Sequence, residues 1–221
     1  MSQYDQIKVD LVEAARHLAE RGVFKGTEGN FSIRVPGARA FAITPSGVDY
    51  FKMRPEQVCI LDFDLNKVEG GAKPSIESGI HAVAYQLRAD VNTVIHTHQV
   101  YASSLALIKT PIPALFDEQV RYLGRGVDII DYAPSGTIFL RNKVKAKIRN
   151  GNNAYILQNH GVVVFGSDTE RALHNIELLE KCALTYLLAL CTDKKITKVP
   201  LVIREIAFAK LRQDEKRYAR L

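Results

Sequence analysis

Thr93-Val94-Ile95-His96-Thr97-His98 is an apolar, β-type run that closes on two histidines separated by one residue. Side chains at i and i+2 on a strand point to one face, so His96 and His98 can reach the same small object at the strand end. A third histidine lies far downstream in Gln158-Asn159-His160-Gly161, at a break between the apolar runs 154–157 and 162–165. Three imidazoles gathered at a sheet end form the donor set of a divalent metal with an open position, and imidazole suits zinc, iron, manganese, cobalt or nickel. For each histidine taken alone, a hydrogen-bonded residue of the core is the competing reading. His17 and His174 fall within helical patterns and stay with that reading.

Upstream, Gln6 to Arg21 carries Ile7, Val9, Leu11, Val12, Ala15, Leu18 and Ala19 at the 3.6-residue period of an amphipathic helix that stops at Gly22. The pattern then predicts short strands over 31–35, 41–44 and 58–63, a helix over 78–87, a strand over 93–97 and a helix over 101–107. A helix over 141–150 and two strands, 154–157 and 162–165, follow. A long helix is expected to open at Ser167-Asp168-Thr169-Glu170, with Ser167 and Glu170 as a capping box, and to run to about residue 190. Pro200 opens one more. With no internal repeat and no linker, residues 1–221 read as a single α/β domain whose mixed or antiparallel sheet is covered by helices.

The 221 residues are 47% hydrophobic and 24% charged, which supports a substantial core and excludes disordered and fibrous classes. No apolar run approaches the roughly 20 residues of a membrane helix, and no signal-peptide pattern opens the chain. No membrane partner is therefore expected, and the cytoplasm is the expected address. Cys59, Cys182 and Cys191 form no CxxC pair and read as buried thiols. The net charge of +6 is concentrated in 141–149 and 210–220, both read as helices with a solvated basic face. Without an RNA-binding aromatic signature or a CxxC zinc module, nucleic acid is set aside in favour of a small anionic substrate drawn by the positive field.

Glu77, in Pro74-Ser75-Ile76-Glu77-Ser78, precedes a helix by its position. It reads either as a carboxylate that ligates a cation or moves a proton beside one, or as a helix-start carboxylate favoured by the dipole. Gly26-Thr27-Glu28-Gly29-Asn30 and Thr44-Pro45-Ser46-Gly47 are loops whose amides and hydroxyls suit an anion, and Ser75 near a helix start can add to them. Each is equally readable as a plain turn.

In order along the chain, Gly26-Thr27-x-Gly29-Asn30, Ile43-Thr44-Pro45-Ser46-Gly47, Pro74-Ser75-x-Glu77, His96-Thr97-His98 and His160-Gly161 resemble the class II aldolase/adducin-type family, from about residue 10 to about residue 190. Its sugar-phosphate aldolase branch is the nearest in look. The resemblance implies a three-layer α/β/α sandwich around a mainly antiparallel sheet, assembled as a homotetramer with active sites between neighbouring subunits. It implies one divalent metal per subunit, zinc foremost, on His96, His98 and His160, with Glu77 as resting ligand and catalytic carboxylate. Phosphate contacts map onto Gly29, Asn30, Ser46, Gly47 and Ser75. The implied activity is that of a lyase, cleaving a ketose phosphate or related hydroxy-ketone by a retro-aldol step through a metal-stabilised enediolate.

Three departures bear on the reaction. Ile76 stands where the aldolase branch has a second serine, which removes a hydroxyl from the phosphate site. Leu115-Phe116-Asp117-Glu118-Gln119 stands where that branch places a tyrosine, so Glu118 reads as a candidate acid/base or as a solvated loop carboxylate. The motif Pro45-Ser46-Gly47-Val48-Asp49-Tyr50 also suits the family's sugar-phosphate 4-epimerases, although these carry an aspartate in place of Glu77. Epimerisation, dehydration and decarboxylation are accordingly the alternative outcomes, and Tyr218 on the C-terminal tail is a candidate to complete a neighbour's site. An adducin-like interaction module is the non-enzymatic alternative, opposed by the complete set of His96, His98, His160 and Glu77.

Overall fold

The alternating apolar runs become one sheet with helices packed on both of its faces. The computed structural model describes residues 2–217. In chain order the elements are α1 (Asp5–Glu20), β1 (Asn30–Arg34), β2 (Ala40–Ile43), β3 (Cys59–Asp62), β4 (Lys67–Glu69), α2 (Ser78–Leu87), β5 (Thr93–Thr97), α3 (Val100–Leu107), α4 (Asp117–Tyr122), β6 (Asp128–Ile130), α5 (Ile138–Lys147), β7 (Ala154–Leu157), β8 (Gly161–Gly166), α6 (Thr169–Leu190) and α7 (Leu201–Glu215). The sheet order is β4-β3-β2-β1-β5-β8-β7-β6. Neighbouring strands run antiparallel, except that β6 lies parallel to β7.

The period of two decides which residues meet which helices. Phe31, Ala42, Ile60, Ile95, Ile156 and Val164 join Leu11, Leu18, Leu105, Ile176 and Leu179 of α1, α3 and α6 in one buried cluster. Their strand neighbours Phe41, Ile43, Leu61, Val94, Val163 and Phe165 join Ile80, Val83, Leu140 and Val144 of α2 and α5 in the other. The strands β5, β7 and β8 are buried along their whole length, which is why β7 and β8 read as unbroken apolar runs.

Several sequence-based expectations need correction. Asp168, not Ser167, caps α6: its carboxylate accepts from the Arg171 amide at 2.7 Å, while the Ser167 hydroxyl donates to Asp168. α5 begins at Ile138 rather than at 141, because the Thr137 hydroxyl accepts from the Leu140 amide. The short β4, α4 and β6 are additional; three to six residues hold too few turns or alternations to register as a period. Cys59 and Cys182 are buried, but Cys191 is exposed, since α6 ends just before it. Among the described residues no helix is long and apolar enough to cross a membrane.

The basic face of α7 is not wholly solvated. Arg212 turns inward to Asp90 at 3.0 Å and pairs with the buried Glu215, while Arg88 holds Asp90 at 2.7 Å and the Asn153 amide oxygen at 2.8 Å. This charged latch ties the last helix to the loop between α2 and β5. Burial works against the Asp90 charge, yet Arg88 and then Arg212 pull its pKa down to about 2. A pKa lowered in the folded state contributes stability that is present above the ordinary aspartate value and is lost as the pH falls through the folded value. Asp90→Asn is therefore expected to lower stability at neutral pH by on the order of 2 kcal/mol, read by thermal unfolding, with the gap from wild type closing as the pH falls from about 4 to about 2. A gap that stays constant over that window would remove Asp90 as the source.

Candidate metal centre and active site

Antiparallel pairing sets Asn30 of β1 and Val163 of β8 beside His96 in the middle of the sheet. His96 is fully buried, and its Nδ1 donates to the Val162 carbonyl at 2.8 Å, so Nε2 carries the free lone pair. His98 follows the end of β5. His160 sits on the turn between β7 and β8, where Asn159 takes φ 54°, a left-handed conformation that asparagine tolerates. One ligand atom from each of the three histidines lies within 4.8 Å of the other two, and the rings stand 4.7 to 5.4 Å apart. Burial first, then the neighbouring imidazoles, holds the His98 pKa below its usual value.

Two glycines make this approach possible. A Cβ at Gly161 would lie 2.6 Å from the Thr97 carbonyl oxygen and 2.7 Å from His98 Cδ2. Gly29, at φ 79°, passes so close that a Cβ would meet the His96 carbonyl oxygen at 2.6 Å.

Glu77 occupies the N-cap position of α2, but its side chain makes no cap bond. Its carboxylate turns into the histidine cluster instead. Oε2 lies 3.0 Å from His96 Nε2 and Oε1 lies 3.1 Å from His160 Nε2. Asn30 Nδ2 donates to Oε2 at 2.9 Å and the Ser135 hydroxyl donates to Oε1 at 2.6 Å. Burial opposes the charge, but His160, His96 and Ser135 together hold this carboxyl well below the usual carboxylate range. His96 Nε2 and His160 Nδ1 are buried without a hydrogen-bond partner. At 3.0 Å an imidazole nitrogen and a carboxylate oxygen attract only with a proton or a metal cation between them, and the residues present fit a divalent metal held by three imidazoles and a carboxylate.

The loop residues read as anion contacts divide into two groups. The Ser46 amide donates to the Lys73 carbonyl at 2.9 Å and Pro45 bridges Pro74, which brings exposed Ser46 and Gly47 alongside the segment that carries Ser75. Ser75 is buried, its hydroxyl accepting from the Glu77 amide at 3.3 Å. The Asn30 side chain instead bonds Glu77 and His81. Ile76 is 59% exposed and lines, with Glu77, Gly136 and Arg141, a cleft of about 240 Å³.

Glu118 is not brought to the cluster. It is helical rather than in a loop, in the first turn of α4, and bonds Lys181 at 3.0 Å with His174 4.0 Å away. Tyr218 lies outside the described residues. Sequence reasoning passed over Glu28, whose exposed carboxylate stands 3.7 Å from His98 Nδ1, and Ser135. The signal for Ser135 was the turn Pro134-Ser135-Gly136-Thr137, hidden because the helix after it was expected three residues too late. Gly161→Ala is expected to displace the His98 ring and to cost about 1–3 kcal/mol by overpacking, read by thermal unfolding and by the shift of the His98 ring resonances; an unchanged His98 spectrum would mean that the turn, not the ring, absorbs the methyl group.

Residues 9–187 match the family described as the class II aldolase and adducin N-terminal domain. The chain is 32% identical over 177 residues to a 5-deoxy-D-ribulose 1-phosphate aldolase of Bacillus thuringiensis serovar kurstaki, covering 80% of this chain and 82% of that protein. It is likewise 32% identical over 180 residues to an L-fuculose phosphate aldolase of Escherichia coli O6:H1, with the same coverage. A solved L-fuculose 1-phosphate aldolase superposes with a TM-score of 0.87 at 32% identity, over 96% of this chain and 98% of that one. With those matches laid on an α/β fold that gathers three histidines about a buried glutamate, the chain belongs to the class II aldolase and adducin family and is an aldolase-type enzyme.

Proposed function

We propose that this protein is a metal-dependent lyase that cleaves a ketose 1-phosphate, or a related phosphorylated hydroxy-ketone, into an aldehyde and a three-carbon ketose phosphate on a three-layer α/β/α scaffold. The observation that carries the reading is the Glu77 carboxylate held between His96 and His160 with no cap bond to its own helix. Bound at His96, His98, His160 and Glu77, a divalent ion, zinc foremost, supplies positive charge against the negative charge that an enediolate develops.

The chain's own groups do the rest. Glu77 takes the proton from the hydroxymethyl carbon of the three-carbon fragment in the synthetic direction, and returns it to that carbon in cleavage. Asn30 and Ser135 fix which way its two oxygens face. The amides of Gly29 and Gly47 and the hydroxyls of Ser46 and Ser75 hold the phosphate, with Ile76 offering an apolar wall in place of another hydroxyl. Both 32%-identical relatives are named as aldolases of sugar phosphates, which favours this substrate class. A homotetramer suits the exposed Ile138, Phe139, Leu201, Val202, Ile203 and Ile206, apolar side chains that a lone subunit leaves in water.

Purified protein is expected to carry about one divalent ion per chain by elemental analysis, lost in the His96→Ala/His98→Ala variant. An active, metal-free wild type would sink the mechanism. Glu77→Gln is expected to lower kcat by about 10²–10⁴ while Glu118→Gln stays within about threefold of wild type. Mass spectrometry of ketose phosphates and aldonate phosphates incubated with protein and metal then reads the reaction: two fragments for aldol cleavage, loss of water for dehydration, loss of carbon dioxide from an aldonate phosphate for decarboxylation, and unchanged mass for epimerisation.

A further inference from the structure

Between the sheet and α2 runs a row of buried polar side chains for which the proposed reaction has no use beyond its last two members, Asn30 and Glu77. Asn30 and Ser32 share one face of β1 by the two-residue period. Glu77, His81 and Tyr85 follow one another at steps of four along one side of α2 and its cap. The two rows interlock. Tyr85 Oη is 2.7 Å from Ser32 Oγ, Ser32 Oγ is 2.6 Å from His81 Nδ1, His81 Nε2 is 2.5 Å from Asn30 Oδ1, and Asn30 Nδ2 is 2.9 Å from Glu77 Oε2. All five residues are buried, His81 and Ser32 completely.

The charge on Glu77 sets the direction of every proton in this row. An ionised carboxylate only accepts, so Asn30 must present its amide nitrogen to Glu77 and its carbonyl to His81. His81 must then carry its proton on Nε2, which leaves Nδ1 an acceptor in the neutral ring. Ser32 must donate to Nδ1, and its oxygen is left to accept from Tyr85. Were the amide of Asn30 reversed, its carbonyl oxygen would face a carboxylate oxygen at hydrogen-bond distance, and His81 would have to donate from Nδ1 toward Ser32.

We propose that His81 is a positioning residue: as the neutral Nε2–H tautomer it locks the Asn30 amide onto Glu77 Oε2 and thereby fixes the carboxylate that moves the substrate proton. The consequence for turnover rests on the reading of Glu77 given above; the tautomer itself does not. Burial first, then the proximity of His96, pushes the His81 pKa down to about 3, so the ring stays neutral throughout the working range. The far end of the row is anchored as well. Arg34, on β1, donates to the carbonyls of Tyr85, Arg88 and Val91, which clamps the C-terminal end of α2 to the strand that carries Asn30 and Ser32.

The deciding measurement is a long-range ¹H–¹⁵N correlation spectrum of the histidine rings in the full-length protein, without added metal, at neutral pH. His81 is expected to show a protonated, slowly exchanging Nε2 and a bare Nδ1; an Nδ1–H tautomer or an imidazolium overturns the proposal. Kinetics supply the second arm. His81→Leu removes the donor at nearly constant volume and is expected to lower kcat at least about tenfold with KM within about twofold, whereas His81→Gln, whose amide nitrogen can take the place of Nε2, is expected to recover most of the loss. Wild-type kcat in folded His81→Leu, or equal losses in the Leu and Gln variants, overturns the positioning role. A wild type that cleaves no ketose phosphate would instead sink the reading of the reaction and leave the tautomer result standing.

Discussion

The ionised carboxylate of Glu77, taken out of water and set against two imidazole nitrogens, is the interaction on which the rest of the site depends. A charge in such a place is costly unless it is fully compensated, and the surrounding structure can be understood as the compensation. Asn30 and Ser135 each donate a hydrogen bond, His96 and His160 close from the other side, and a divalent cation suits the space where lone pair and carboxylate meet. Because these partners come from β1, the loop before α5, β5 and the turn before β8, the charge also ties together segments distant in sequence. Fold and site are therefore one problem: the sheet order β1-β5-β8 brings Asn30, His96 and His160 to the start of α2, and the loop before α5 adds Ser135.

Close backbone approach is the second requirement. Imidazoles on neighbouring strands can converge on a single point only if nothing intervenes at the strand ends, and Gly29 and Gly161 leave that space empty on either side of β5. The Thr97 hydroxyl and the Gln99 amide both donate to the Val23 carbonyl, at 2.6 and 3.3 Å, and so pin the loop after α1 to the end of β5. Glu28, on that loop, is thus carried to the rim beside His98. The glycine-bearing stretch 26–30 serves the histidine cluster through shape, by letting the backbone pass close to His96.

How much of this is legible in the sequence follows from how each feature is encoded. His96 and His98 declare a common target through their spacing, and the long periodic elements 5–20, 78–87 and 93–97 lie close to where their apolar periods put them. The cap of α6 and the exposure of Cys191 turn on a single residue's position at a helix end, where periodicity carries no information. The His81 row is a different case. Its residues sit at legible spacings, two on a strand and four on a helix, but the fact that one face meets the other belongs to neither element and emerges only when β1 and α2 pack. Ser135 was lost for a simpler reason, a helix start placed three residues late.

Three carboxylates compete for the role of base, and geometry separates them. Glu28 stands at the rim with most of its side chain in water, and 3.7 Å from His98 it makes no hydrogen bond there. Glu118 is half exposed and shares its charge with Lys181 on the helix beneath. Proton transfer to or from carbon requires a group held at a fixed distance and angle through many turnovers, and a solvated carboxylate on a flexible stem meets that requirement poorly. Glu77 alone among the three is buried and gripped through both oxygens. The departures from the aldolase pattern at Ile76 and in the stretch 115–119 lie outside that grip, so they leave the hold of Asn30 and Ser135 on Glu77 unchanged.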